Sequence, residues 1–104
     1  MVAIEIILFR NAMTLEEQQK WWLEDHAPIA RAMPGLLGYT INLAGKGENG
    51  EEPDICGTDT LTFASWEAAM KAYNSSEWTA ARQHTQASGA KALRTWVQRQ
   101  VTIV

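Results

Sequence analysis

His26 stands where a sequence places few histidines, on the apolar side of a helix. At about 100° per residue, Leu15, Trp22, His26, Ile29 and Met33 fall within a stripe of about 60°, whereas Glu16, Glu17, Lys20, Glu24, Asp25 and Arg31 lie mostly elsewhere. Burial disfavours the charged imidazolium, so His26 is expected to be a neutral imidazole able to accept a proton near neutral pH. That is the property of a general base. A second reading fits the same pattern: a core histidine bonded to a carbonyl that Pro28, lacking an amide hydrogen, leaves free.

Two further residues could take part. Tyr39 shares a strand face with Leu37, Ile41 and Leu43, so its phenol is buried and in want of a partner. It could donate to a developing oxyanion, or it could be an ordinary core tyrosine. Asp59 has the parity of Leu61 and Phe63, which puts a carboxylate on a mainly apolar face, where it must pair; His26 is one candidate partner.

Other chemistries lack support. His26, His84 and Cys56 lie on different expected elements with no metal-ligand spacing, so no metal site is expected. His84 falls on the less apolar side of its helix and is expected to be exposed. Cys56 reads as a small apolar residue, and there is no G-x-S-x-G elbow. Gly45-Lys46-Gly47-Glu48-Asn49-Gly50 matches G-x-G-x-x-G, but Glu51-Glu52-Pro53-Asp54 follows where a dinucleotide site needs a helix. The segment is read as a hairpin loop. The five tryptophans could line an aromatic pocket or supply core and interface bulk.

The elements that must position these residues follow from periodicity. Val2 to Phe9 alternates with apolar residues on both sides, which predicts a strand covered on both faces. Thr14-Leu15-Glu16-Glu17 is a capping box that opens a helix, kinked or restarted at His26-Ala27-Pro28 and ended at Pro34-Gly35. Leu36 to Ala44 and Ile55 to Phe63 predict a hairpin with a long loop. Ser65 caps a helix through Trp66, Ala69, Met70 and Tyr73, and a break at Asn74-Ser75-Ser76 precedes a further helix from Glu77 to about Gly89. A last strand is expected from about Thr95 to Val104. This order predicts an α+β, ferredoxin-like βαββαβ chain: a four-stranded antiparallel sheet with helices on one face, one domain over residues 1–104.

Composition bounds the rest. The chain has 104 residues, of which 46% are hydrophobic and 20% charged, which excludes disorder and a multidomain enzyme. Nine basic against twelve acidic residues give a net charge of −3, the wrong sign for nucleic acid. Lys91, Arg94 and Arg99 with no acids after them, and the four acids of 48–54, read as solvated surface. One cysteine, no basic-then-apolar leader and no run of about 20 apolar residues predict a cytoplasmic protein without a membrane partner.

Phe9-Arg10 at a strand end, Trp22 before His26-Ala27-Pro28, then Met33-Pro34-Gly35-Leu36 and Gly38-Tyr39, resemble the EthD-like family of dimeric α+β barrel proteins. Leu61-Thr62-Phe63-Ala64-Ser65 with Glu67-Ala68, leading to Ser75-Ser76-Glu77-Trp78, is similar to that family's second half. The resemblance implies a homodimer joined through the open sheet face, no cofactor, and a small organic substrate from aromatic breakdown or a polyketide. Its cofactor-free methylmuconolactone methylisomerases imply a catalytic role for His26 and Tyr39, beside a substrate pocket assigned to Phe9, Trp22, Asp59 and Leu61. Those isomerases carry a cysteine where Leu61 stands, and many members have acids at the positions of Cys56 and Thr60. The expected activity is therefore an isomerase or lyase with His26 as base. A non-catalytic accessory or ligand-binding protein and a cofactor-independent monooxygenase are the alternatives.

Overall fold

The computed structural model describes all 104 residues. The order is β1 (Val2–Phe9), α1 (Leu15–Trp21), a π-helical turn (Trp22–His26), α2 (Ala27–Ala30), β2 (Gly38–Leu43), β3 (Ile55–Phe63), α3 (Trp66–Tyr73), α4 (Ser76–Ala87) and β4 (Ala92–Val97). The strands lie in the order β2-β3-β1-β4, with every neighbouring pair antiparallel. This is the ferredoxin-like arrangement expected from the sequence.

Ile4, Leu61 and Phe63 form the core with Ala30 and Met33 on the first helical side and Ala69, Ala72, Trp78 and Ala81 on the second. The helices therefore cover one face of the sheet. The other face carries Glu5 and Ile7 from β1 in the open, because their parity is opposite to that of Ile4, Ile6 and Leu8. Within one chain β1 is thus covered on one face, not on both: the four-helix layer reaches only one side of the sheet.

Local chemistry places the helices. Thr14 accepts from the Glu17 amide and Glu17 reaches back to the Thr14 amide, so α1 starts with the full capping box. Buried Gln18 donates to the Phe9 carbonyl at 2.9 Å, and Gln19 donates to Ala44 and Cys56 carbonyls at 2.8 and 3.1 Å. These amides tie α1 to the end of β1 and to the β2–β3 hairpin. Ser65 and Ser75 cap α3 and α4, and the Asn74-Ser75-Ser76 break lies between them.

The last strand differs from its expected extent. It runs from Ala92 to Val97, and residues 98–104 form no strand. Val97 already pairs with Ala3 at the start of β1, so the chain beyond it has no partner to bond. The Gly45–Asp54 loop runs into β3 and is held by ion pairs of Glu52 with Arg10 at 3.1 Å and Lys46 at 3.8 Å.

Candidate active site

Pro28 shapes the site first. The expected kink is a widened turn: the Ala27 amide bonds to the Trp22 carbonyl, five residues back. This π-type register lets the chain pass the proline while keeping helical hydrogen bonding, and it turns both Trp22 and His26 inward. His26 is 8% exposed.

The side chains close a cavity of about 420 Å³ between the sheet and the helices. Its walls include Trp22, His26 and Met33 from the first helical side, Ile6 and Leu8 from β1, Asp59 and Leu61 from β3, and Trp78, Ala81 and Thr85 from α4. Of the residues singled out in the sequence, it therefore brings together His26, Trp22, Asp59 and Leu61. Phe9, half-buried at the end of β1, and Tyr39 are not among its walls.

Asp59 is the most unusual of these groups. It is 5% exposed, and its Oδ1 has no hydrogen-bond partner. Burial alone pushes its carboxyl up to about 7. The expected pairing with His26 is absent, because both imidazole nitrogens of His26 have other partners. Asp59 therefore lines the cavity with its Oδ1 unpaired within the protein.

His26 Nδ1 lies 2.9 Å from His84 Nδ1. The two rings are within 10° of parallel, and the Trp21 indole stacks against each at 5.0 and 5.1 Å between centroids. His84 is half-buried in this contact, contrary to the exposed position expected of it. The outward side of α4 meets the π-helical turn, which the composition of α4 does not reveal. Burial, and secondarily the neighbouring His84, hold His26 down to about 4.

Proton counting orders the pair. The single Thr85 hydroxyl proton goes to the Ala81 carbonyl at 3.2 Å, so Thr85 Oγ1 meets His26 Nε2, at 3.5 Å, as an acceptor. His26 then carries its proton on Nε2 and accepts from His84 through Nδ1. In this tautomer the basic lone pair of His26 is occupied, and its N–H is held only by a long contact.

Tyr39 is paired with Leu61 across the β2–β3 ladder and lies diagonal to Asp59. Its hydroxyl is buried with no hydrogen-bond partner, and burial together with the Asp59 charge pushes its ionisation above the ordinary phenol range, the Trp22 indole weakly opposing. Cys56 is fully buried, and burial raises its thiol to about 11 against a small opposing effect of Arg10. No three His, Cys, Asp or Glu side chains cluster closely enough to hold a metal ion. No helix is long and apolar enough to cross a membrane.

His84 and Thr85 were not among the expected site residues, and Trp78 was weighed only as one of five tryptophans that could line an aromatic pocket. The spacing of Trp78, Ala81 and Thr85 does mark one face of α4, and His84 flanks it. That spacing is the sequence signal that points to His84 and Thr85.

A family model for the EthD domain matches residues 10–89. The structure is similar to an ethyl tert-butyl ether D (EthD) family protein of Bacillus halodurans, at a TM-score of 0.72 and 17% identity over 91% of this chain and 97% of that one. It is similar to SnoaB, a cofactor-independent oxygenase from Streptomyces nogalater, at a TM-score of 0.67 and 11% identity over 98% and 96% of the two chains. HapK from Hahella chejuensis matches at a TM-score of 0.67 and 12% identity over 98% and 95%. No curated protein matches the chain in sequence.

Proposed function

The chain belongs to the EthD domain family, and we propose that it is a cofactor-free enzyme of the isomerase or lyase type that moves a proton on a small organic molecule held between its sheet and helices. The observation that carries this reading is the buried, unpartnered Oδ1 of Asp59 in a cavity of substrate size. A carboxyl with its pKa near 7 is matched to proton transfer at neutral pH. His26, held down to about 4 and with Nδ1 occupied by His84, is the poorer base and the better hydrogen-bond donor.

The roles follow. Asp59 removes a proton from a carbon next to a carbonyl, as in a lactone or an aromatic-derived ketone, and the enolate oxygen accepts from His26 Nε2–H. Return of the proton to a different carbon is an isomerisation, and loss of a neighbouring leaving group is a lyase reaction. Tyr39, whose hydroxyl has no partner and lies outside the cavity wall, is given no step in this reaction. The test is deuterium uptake from D2O into a panel of lactones and aryl ketones, read by mass spectrometry. Asp59→Asn is expected to slow exchange about 10²- to 10⁴-fold. His26→Gln is expected to slow it about 10²- to 10³-fold. Undiminished exchange in Asp59→Asn would remove the proposal.

A second reading is cofactor-independent oxygenation, in which the same carbanion adds to O2. It is favoured by the likeness in fold to SnoaB and by the two indoles, Trp22 and Trp78, in the cavity wall. Oxygen consumption with the substrate that exchanges deuterium separates the two. Binding without exchange or oxygen uptake would instead support a ligand-binding accessory protein.

The same reading includes a homodimer through the open face of the sheet. Ile7 and Leu93 are direct neighbours across the β1–β4 ladder and are 36% and 57% exposed, side by side on that face.

A further inference from the structure

The charges around the cavity are sorted by depth. Its lining residues that are exposed are Arg82, Gln86, Lys91, Ala92 and Arg94, so three of the five are cations and none is an acid. Deeper in, the wall is apolar apart from His26, Thr85 and Asp59. This inverts the balance of a chain whose net charge is −3. No carboxylate lies within ion-pair distance of Arg82, Lys91 or Arg94. Arg94 is held in place by neutral groups: it donates to the Tyr73 hydroxyl at 3.1 Å, and its guanidinium lies 4.7 Å from the Tyr73 ring centre. Charges gathered at one opening and left without counter-charges attract an anion from solution.

We propose that the ligand of this cavity is an amphipathic organic carboxylate, whose charged head stays at the mouth among Arg82, Lys91 and Arg94 while its apolar body enters past Trp78 and Leu61. Arg82 is supplied by α4, Lys91 by the turn before β4 and Arg94 by β4 itself. A head group fixed there keeps its charge away from Asp59 and sends an uncharged carbon down to it. The inference rests on this cavity being the substrate site and adds the class of molecule that enters it.

The test is calorimetric titration of the whole protein with three probes: 2-naphthoate, 2-naphthamide of nearly the same shape, and acetate as the head alone. The acid is expected to bind about 10-fold more tightly than the amide, as two or three partly exposed charge pairs supply. Acetate is expected to bind too weakly to measure. Both the preference and its loss above about 0.5 M salt should follow from screening. In Arg82→Gln/Lys91→Gln, at exposed positions that leave the core intact, the acid's advantage should fall below about 3-fold while affinity for the amide is unchanged. Equal affinity for acid and amide, binding by neither, or a preference that survives in the double variant would overturn the proposal. The readout is binding and not turnover. An inactive protein that still prefers the acid sinks the catalytic reading alone, and an active one without the preference sinks this one alone.

Discussion

Burial shifts Asp59 and His26 in opposite directions, and in both it favours the neutral form. An acid in an apolar wall holds its proton longer, and a base in the same wall gives its proton up sooner. Linkage makes this measurable. Asp59 goes from 3.8 to about 7 on folding, so between those values the folded state holds a proton that the unfolded state lacks, and stability falls as pH rises from about 4 to 7. His26 goes from 6.5 to about 4, so in that window the unfolded state holds the extra proton, and stability falls as pH drops from 6.5 to about 4. The two slopes oppose each other and largely cancel in the parent protein. Asp59→Asn should therefore leave a stability that rises between pH 4 and 6.5, and His26→Gln one that falls between pH 4 and 7. Urea midpoints across this range test it, and two variants that both parallel the parent would contradict the assignment. At pH 8 Asp59→Asn should also be more stable than the parent by about 1–3 kcal/mol, since it removes a buried charge with no partner. His84→Gln removes the lesser cause of the His26 shift, so the imidazole should titrate above about 4 and still below 6.5 in an NMR titration.

At the scale of elements, the cavity depends on how closely two backbones approach beneath it. Gly57 on β3 faces Leu43 of β2, and a β-carbon there would overlap the Asn42 carbonyl oxygen and come within 3.0 Å of the Trp22 ring. Neither the ladder nor the buried indole can yield easily. Gly57→Ala is expected to destabilise the protein by about 1–3 kcal/mol, read from thermal or urea unfolding. It should also shift the emission of Trp22. Thr14→Ala acts at the other end of the same support. It removes the hydroxyl that accepts from the Glu17 amide, and the expected cost is about 1 kcal/mol. A cost near zero would mean that the Gln18 and Gln19 bonds to the strands, and not the cap, hold α1 and so the π-helical turn in place.

As a whole the molecule is a thin plate, 42 × 37 × 19 Å, made of one sheet and one layer of helices. Only 18 of its 104 residues are buried. A plate of this kind gains most by covering its bare face, and a second copy offers the same face with Ile7 and Leu93. Light scattering after size exclusion is expected to give twice the chain mass for the parent and the chain mass for Ile7→Glu/Leu93→Glu. The thermal midpoint should rise with protein concentration only in the parent. A parent that runs as a monomer would end the proposal of a dimer.

What the sequence determined by itself is local in origin. The Thr14–Glu17 box, the serine caps at 65 and 75, and strand alternation in Ile55 to Phe63 are written within a few residues of where they act, and the element order leaves the ferredoxin-like sheet as the simple solution; alternation also marked β2, but Leu37 and Leu43 on its expected inner face are exposed, since β2 is the edge strand. The inward faces of His26 and Asp59 were legible for the same reason, since each has the period of its own helix or strand. Which of these side chains meet was decided only by tertiary packing. The sequence suggests Asp59 as a partner for His26; the fold gives His26 to His84, 58 residues away on α4, and leaves Asp59 in the cavity wall with its Oδ1 unpartnered. Lys91 and Arg94 read as surface charge and become the cavity's mouth, because β4 starts at Ala92, earlier than its β-branched end suggests. A contact between distant elements depends on register and crossing geometry, and both are set by the sum of many weak packing terms that no short segment carries.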